Sequence, residues 1–269
     1  MKLAYMAATQ EIHNEKITCL KGEYDQVFQL IAKNGYTGVE LMVRNPFEVD
    51  FAGIEKSARK YHLDIPVLCT GEVYGEDKLS FGDPNPSVRH EAIKRGKEAM
   101  KMAGNFRACV NVGRLRGRFQ DNVARKDTIA WIKDGFSQVA AANPNTFLLL
   151  EPVNHRLANY LLTTTDGVDF VKELNIPNVR MMLDYDHMVI EKEDIEQSVN
   201  CAKGFFQHVH ICDSDRLPPG QGTYKFDTFF QALHKAGYEG YVTVESFPTK
   251  NYEFDLKTCF QQISPLLNS

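Results

Sequence analysis

The chain has 269 residues, of which 43% are hydrophobic, and this is enough to bury the core of one large domain. Its formal net charge is -4 and its lysines and arginines are scattered, which argues against nucleic acid and anionic membranes as partners. The N-terminal stretch soon turns polar, unlike a secretory signal, and no apolar run approaches the roughly 20 residues of a membrane span. The six cysteines are dispersed without CxxC pairs, so we expect reduced thiols in a cytoplasmic protein with one domain over residues 1–269.

Short runs rich in apolar and β-branched residues recur eight times, and each is predicted to be a β-strand. The predicted strands are residues 2–8, 37–43, 64–70, 107–113, 146–151, 179–184, 206–211 and 241–246. They are apolar on both faces, which is typical of a parallel sheet that is covered on both sides.

Amphipathic stretches lie between these strands, with apolar residues three and four positions apart, and they predict helices. The clearest are residues 24–35, 88–104, 128–142 and 226–240. Gly35, Gly104 and Gly237 are expected to end three helices in a left-handed conformation. Eight strand-helix units in this length predict an α/β fold of the (β/α)8 TIM barrel type. A doubly wound sheet usually needs fewer strands and a glycine-rich turn after the first, and the turn TQEIHNEK has no glycine.

Four polar residues lie at the C-terminal ends of the last four predicted strands, which converge in a barrel. They are Glu151, Asp184, His210 and Glu245. A buried carboxylate without a partner costs several kcal/mol, and three of them together would repel one another unless a cation neutralised them. Three carboxylates and one imidazole therefore predict one divalent metal ion, with Mn²⁺ favoured and Mg²⁺, Co²⁺ or Zn²⁺ as alternatives. Cys212 is a weaker candidate ligand, and His208 is expected to be a hydrogen-bonded core histidine.

The longest irregular segment, residues 71–89, follows the third predicted strand and is interpreted as an active-site loop or flap. Its Tyr74 and Phe81 either cover a bound ligand or anchor the loop to the barrel. Three arginines follow the fourth strand, namely Arg114, Arg116 and Arg118. They either bind an anionic ligand or belong to a solvated loop with acids such as Asp121.

Five stretches of the chain together resemble the sugar-phosphate isomerase/epimerase superfamily, the xylose-isomerase-like TIM barrels. They are GYTGVELM (35–42), LLLEPVNH (148–155), MMLDYDHM (181–188), HVHICDSDRLPPGQG (208–222) and YVTVESFP (241–248). The resemblance covers essentially the whole chain, and its pattern is nearest to that of the ketose 3-epimerases. It implies that the four residues named above hold the metal, that Glu151 and Glu245 also transfer protons, and that His187 and Arg216 bind substrate hydroxyls.

The implied function is a metal-dependent isomerase or epimerase of a keto sugar or related polyol. The reaction would abstract a proton next to a carbonyl and pass through a metal-stabilised enediolate. Leu157 departs from the pattern, because ketose 3-epimerases commonly carry glutamate there. The alternative is therefore a dehydratase or lyase, of the inosose or dehydroshikimate dehydratase type or a C-glycoside deglycosidase subunit. An endonuclease IV-like barrel and a non-catalytic sugar-binding barrel are less favoured, and the resemblance makes a homodimer or tetramer plausible.

Overall fold

A computed structural model describes residues 1–268, so Ser269, the last residue of the predicted domain 1–269, lies outside the described residues. Eight parallel strands form a closed barrel in chain order, with β8 paired to β1. The strands are β1 (Lys2–Ala8), β2 (Gly38–Met42), β3 (Val67–Cys69), β4 (Cys109–Val112), β5 (Leu148–Leu150), β6 (Val179–Asp184), β7 (Phe206–Ile211) and β8 (Tyr241–Val244). The predicted TIM barrel is confirmed.

Helices follow the strands and pack on the outside of the barrel. They are α1 (Tyr24–Lys33), α2 (Phe51–Tyr61), α3 (Gly71–Gly75), α4 (Pro86–Phe106), α5 (Arg125–Ala140), α6 (Thr164–Leu174), α7 (Tyr185–Ile190), α8 (Ile195–Cys201), α9 (Asp227–Ala236) and α10 (Tyr252–Ile263). Among residues 1–268, no helix combines the length and the apolar character needed to cross a membrane.

Five strands are shorter than predicted, and the largest difference is in β3. The predicted strand 64–70 pairs continuously only from Val67, because Pro66 has no backbone N–H to give to a ladder. The strands β5 and β8 end one residue before Glu151 and Glu245, respectively. Both glutamates still donate a backbone N–H to the neighbouring strand, Glu151 to the Val112 carbonyl at 3.1 Å and Glu245 to the Ile211 carbonyl at 3.0 Å. Their side chains therefore start from a fixed backbone at the rim of the barrel.

The expected left-handed glycines are confirmed at Gly35 and Gly237, with φ of 92° and 76°, whereas the expectation for Gly104 is wrong. Gly104 lies inside α4, which runs on to Phe106 and ends with Arg107 at φ 56°. A Cβ at Gly104 would approach the Asn143 side-chain nitrogen to 2.4 Å. This glycine is needed for close packing of the helix against the segment before β5, and not for its termination.

The segment 71–89 is partly helical, since α3 occupies its first five residues and α4 begins at Pro86. Phe81 is fully buried and packs edge-on against Phe136, with ring centroids 5.9 Å apart. Phe81 is thus an anchor of the loop, whereas Glu72 of the same segment reaches the mouth of the barrel.

Candidate active site

A cavity of about 260 Å³ opens at the C-terminal ends of the strands. It is lined by Asn14, Lys16, Ile17, Thr18, Met42, Cys69, Gly71, Glu72, Arg114, Glu151, Val153, Leu157, His187, Arg216, Glu245 and Phe247. The predicted catalytic and substrate-binding residues all line this cavity. Apolar and charged side chains share the wall, as expected of a site for a small polar molecule.

The four predicted metal ligands meet at the base of this cavity. One ligand atom from each of Glu151, Asp184, His210 and Glu245 lies within 4.8 Å of the other three. The His210 Nδ1 atom is 3.3 Å from Glu245 Oε2 and 3.9 Å from Glu151 Oε1. The structure therefore brings the set together, and metal binding by it stays a prediction.

His210 provides a test of whether these residues suit a metal ion. Its Nδ1 atom is buried and has no hydrogen-bond partner among residues 1–268, although it faces two carboxylates. Buried polar atoms in folded proteins are nearly always paired, so an unpaired one pointing into a carboxylate cluster calls for a ligand. Together with three carboxylates, an imidazole lone pair suits a divalent ion of hard or borderline character. The residues fit the predicted group.

The other nitrogen of His210 contacts a residue that the sequence reading missed. Glu40 on β2 is fully buried inside the barrel, and its Oε1 atom lies 2.9 Å from His210 Nε2. Its Oε2 atom lies 2.8 Å from His208 Nε2, which also contacts the Thr243 hydroxyl at 3.0 Å. Burial opposes ionisation of Glu40, but the two imidazoles outweigh it and lower the pKa to about 2. The expectation of a hydrogen-bonded core histidine at His208 is confirmed.

Asn111 on β4, like Glu40, was not predicted from the sequence to belong to the site. Its side-chain amide donates to Glu151 Oε2 at 2.9 Å, and this bond orients the carboxylate. Both residues are polar positions within otherwise apolar strands. The rule applied to strands 5 to 8, that a polar residue in such a strand demands a partner, would have found them on strands 2 and 4.

His187 is placed as a neutral hydrogen-bond donor beside the metal cluster. The Asn154 side-chain nitrogen lies 2.8 Å from His187 Nδ1, and the Asn154 oxygen accepts from the Arg156 N–H at 3.1 Å. Nδ1 is therefore the acceptor, and Nε2 carries the proton toward Glu151 at 3.6 Å and Asp184 at 3.8 Å. Burial lowers the pKa of His187 below its usual value, which favours the neutral ring.

Arg216 spans the carboxylates from the loop after β7. Its guanidinium contacts Glu245 Oε2, Asp184 Oδ2 at 3.4 Å and Asp186 Oδ2 at 3.3 Å. Arg216 and the preceding Asp215 are both left-handed, with φ of 54° and 57°. Such a conformation costs about 1–3 kcal/mol per residue and often accompanies functional sites. Here it turns the guanidinium back over the cavity.

The pKa values of the two predicted proton-transfer residues are shifted in opposite directions. Burial raises the pKa of Glu151 to about 7, and the neighbouring Glu245 and Asp184 carboxylates add to this shift. Burial acts on Glu245 as well, but the Arg216 guanidinium and His210 outweigh it and hold the pKa of Glu245 well below its usual range. The Thr18 hydroxyl donates to Glu245 Oε1 at 2.7 Å. Before any ion binds, the pair thus combines a proton-bearing acid with an ionised base.

Two of the three arginines after β4 are held inside the protein and do not belong to a solvated loop. Arg116 is fully buried and donates to the carbonyls of Gly113, Glu151, Tyr160 and Leu161 at 2.6–3.0 Å. Arg114 lines the cavity and pairs with the buried Glu72 at 2.8 Å. Of the three, Arg118 alone is exposed.

Residues 28–261 match the family described as xylose isomerase-like TIM barrel. The chain belongs to this family. It is 39% identical to a ketose 3-epimerase of Arthrobacter globiformis over 227 residues, which are 82% of this chain and 77% of the relative. It is also 39% identical to a D-psicose 3-epimerase of Ruminiclostridium cellulolyticum, over 84% of this chain and 79% of the relative.

Solved structures of similar proteins share the fold at lower identity. The chain superposes on a D-allulose 3-epimerase from Methylomonas sp. with a TM-score of 0.83 at 20% identity, covering 99% of both chains. For a 3-keto-D-glucoside 4-epimerase from E. coli the TM-score is 0.79 at 21% identity, covering 96% of this chain and all of the other. With the relatives above, the predicted class, a sugar isomerase or epimerase of this superfamily, is confirmed.

Proposed function

We propose that the chain is one catalytic domain that moves a proton on a carbon next to the carbonyl of a keto sugar, and so epimerises or isomerises it. The observation that carries the proposal is the acid and base pair at the four-residue cluster. Glu151 and Glu245 enter the same cavity from β5 and β8 with opposite acidities. A site that removes a proton on one side and returns one on the other needs such a pair.

The chain's own residues supply the remaining roles. The Glu245 carboxylate takes the proton from carbon on one face. Glu151 returns a proton to the other face, which it takes up from solvent because metal binding displaces its own. The His187 Nε2–H donates to a substrate oxygen, because its Nδ1 atom is occupied by Asn154. The Arg216 guanidinium binds an adjacent hydroxyl and holds Glu245 ionised.

We assign the four predicted residues, Glu151, Asp184, His210 and Glu245, as the ligands of one divalent ion, with Mn²⁺ preferred. When bound, such an ion polarises a substrate carbonyl and its neighbouring hydroxyl and acidifies the C–H bond between them. The unpaired Nδ1 atom of His210 supports this assignment. Three carboxylate oxygens favour Mn²⁺, Mg²⁺ or Co²⁺, whereas structural zinc sites are usually rich in thiolate ligands.

The test is solvent exchange at carbon. Mn²⁺-loaded protein is incubated with keto sugars, keto polyols and 3-keto glycosides in D₂O, and the products are analysed by NMR. We expect deuterium at the carbon next to the carbonyl together with an isomeric sugar. The Glu245→Gln variant should bind the sugar without exchange, because an amide cannot accept the proton. Metal-replete protein that introduces no deuterium into any of these substrates would contradict the proposal.

The wall at the cavity mouth favours 3-keto glycosides over free ketohexoses as substrates. Leu157 and Phe247 line the cavity and are 43% and 41% exposed, so the mouth offers apolar surface. A leucine provides no hydrogen bond for a terminal hydroxyl, whereas it can contact a substituent on the sugar. A higher kcat/KM for a phenyl 3-keto glucoside than for free fructose or tagatose is expected, and Leu157→Glu should reverse the preference.

Elimination remains the second candidate reaction, since the same base next to a carbonyl can expel a β-substituent. It would appear in the same incubations as a new enone absorbance without an isomeric sugar. We also assign the enzyme to the cytoplasm, in keeping with its six free cysteines. A homodimer or tetramer is the proposed assembly, which light scattering of the purified chain would test.

A further inference from the structure

Glu40 contacts His210 of the proposed metal site, and the proposed reaction does not use it. It stands in the middle of β2, and its partners stand on β7, about 170 residues later in the chain. Glu40, His208 and His210 are all fully buried, and the carboxylate bridges the two rings at 2.8 and 2.9 Å. A charged residue at this depth is costly unless each of its hydrogen bonds is made.

The bridge determines which nitrogen of His210 carries its proton. An ionised carboxylate only accepts hydrogen bonds, so the His210 Nε2 atom must donate to it. In the neutral ring, the lone pair then lies on Nδ1, which is the atom that faces Glu245 and Glu151 without a partner of its own. The opposite tautomer would place a hydrogen in the position where a ligand atom is needed.

We propose that Glu40 is the positioning residue for the metal ligand His210, fixing its ring and its tautomer so that Nδ1 is presented to the ion. The inference rests on the proposed function, because it takes His210 to be a ligand. Carboxylate partners behind metal-bound histidines typically change metal affinity by about 10- to 100-fold. His208 is the second arm of the same bridge and does not reach the ion cluster of Glu151, Asp184 and Glu245.

The substitution Glu40→Gln separates orientation from packing. Glutamine has nearly the same shape, but its amide offers one accepting oxygen and one donating nitrogen. It can therefore accept from only one of the two imidazoles, and the other must present a bare Nε2 atom. His210 either changes tautomer or loses the negative charge behind it, and both outcomes weaken binding through Nδ1.

The experiment measures the dissociation constant of Mn²⁺ by competition with a fluorescent chelator, using the full chain stripped of metal. We expect Glu40→Gln to weaken Mn²⁺ binding by about 10- to 100-fold. His208→Gln is the matched control, because it disturbs the same buried bridge but leaves Glu40 bonded to His210, and it should bind Mn²⁺ close to wild type. Unchanged affinity in Glu40→Gln, or an equal loss in both variants, would overturn the proposal.

Two further measurements keep the outcomes distinct. His210→Ala tests the proposed metal site. If Mn²⁺ binds this variant as tightly as wild type, the proposed site is wrong. If His210→Ala loses Mn²⁺ affinity while Glu40→Gln keeps it, only the role of Glu40 is rejected. Should Glu40→Gln not fold, ¹⁵N-histidine NMR of the wild-type protein loaded with diamagnetic Zn²⁺ decides. A proton on His210 Nε2 and none on Nδ1 supports the proposal, and the reverse pattern overturns it.

Discussion

At the scale of single residues, the site works by giving chemically similar side chains different surroundings. Glu151 and Glu245 are both buried glutamates, yet one is next to carboxylates and the other is in contact with Arg216. Their acidities separate because a nearby like charge raises a carboxyl pKa and an opposite charge lowers it. The same surroundings make the site ready to exchange protons for a metal ion.

Metal binding should therefore release protons near neutral pH. At a pH below its pKa of about 7, Glu151 carries a proton that competes with the ion. The pKa of His210 is also raised, because the charges of Glu40 and Glu245 outweigh the effect of burial. We expect Mn²⁺ affinity to rise between pH 6 and pH 8, with one to two protons released per ion. Calorimetry in buffers of different ionisation enthalpy measures this release. In Glu151→Gln it should fall by about one proton, and a pH-independent affinity in the wild type would contradict the prediction.

Gly113 permits the position of the Glu151 carboxylate. A Cβ at Gly113 would lie 2.3 Å from Glu151 Oε2, so Gly113→Ala must displace this ligand atom. Since the displaced atom is the end of a flexible side chain, we expect stability to change by less than about 1 kcal/mol while Mn²⁺ affinity falls about tenfold. Gly71→Ala is the control at the same cavity, because its new methyl group meets only ordinary contacts, with Cys69 Sγ at 3.6 Å. Equal affinities for the two variants would argue against the role of Gly113.

At the scale of elements, the loops after β4 and β5 are joined by one buried cation. Arg116 donates to four carbonyls, including that of Glu151, and thus fixes the backbone of this proposed ligand. Arg116→Met leaves these carbonyls without their donor, so we expect the free energy of unfolding to fall by about 3 kcal/mol in urea titrations. The exposed Arg118→Met should change it by less than about 0.5 kcal/mol. A similar stability for both variants would mean that water replaces the guanidinium.

The order of strands and helices could be predicted from the sequence, whereas the contacts between distant elements could not. Eight apolar runs were enough to predict the barrel, because alternation of strands and helices leaves few other arrangements for a chain of this length. The four converging residues followed from the strand ends alone. The partners of Glu40 and Arg116 could not be predicted, because they lie far along the chain or are backbone carbonyls, and such pairings are visible only once the fold is known.

At the scale of the whole molecule, the barrel brings residues from all eight of its strand ends or following loops to one cavity. Thr18 follows β1, Glu72 follows β3, and Phe247 follows β8, yet all three line the same wall. The rigid sheet positions the proposed metal ligands, whereas the loops provide the residues that we expect to distinguish one sugar from another. Family membership therefore predicts the metal site better than the substrate, and Leu157 lies on a loop.

The number of Mn²⁺ ions bound by each ligand variant tests the central claim most directly, because the described residues contain a competing acidic group. Asp184 and His187 also cluster with Asp186. After equilibrium dialysis and elemental analysis, we expect one Mn²⁺ per chain in the wild type and in Asp186→Asn, and far less in His210→Ala. Loss of the ion in Asp186→Asn, with full occupancy in His210→Ala, would contradict the account and move the metal to the other cluster.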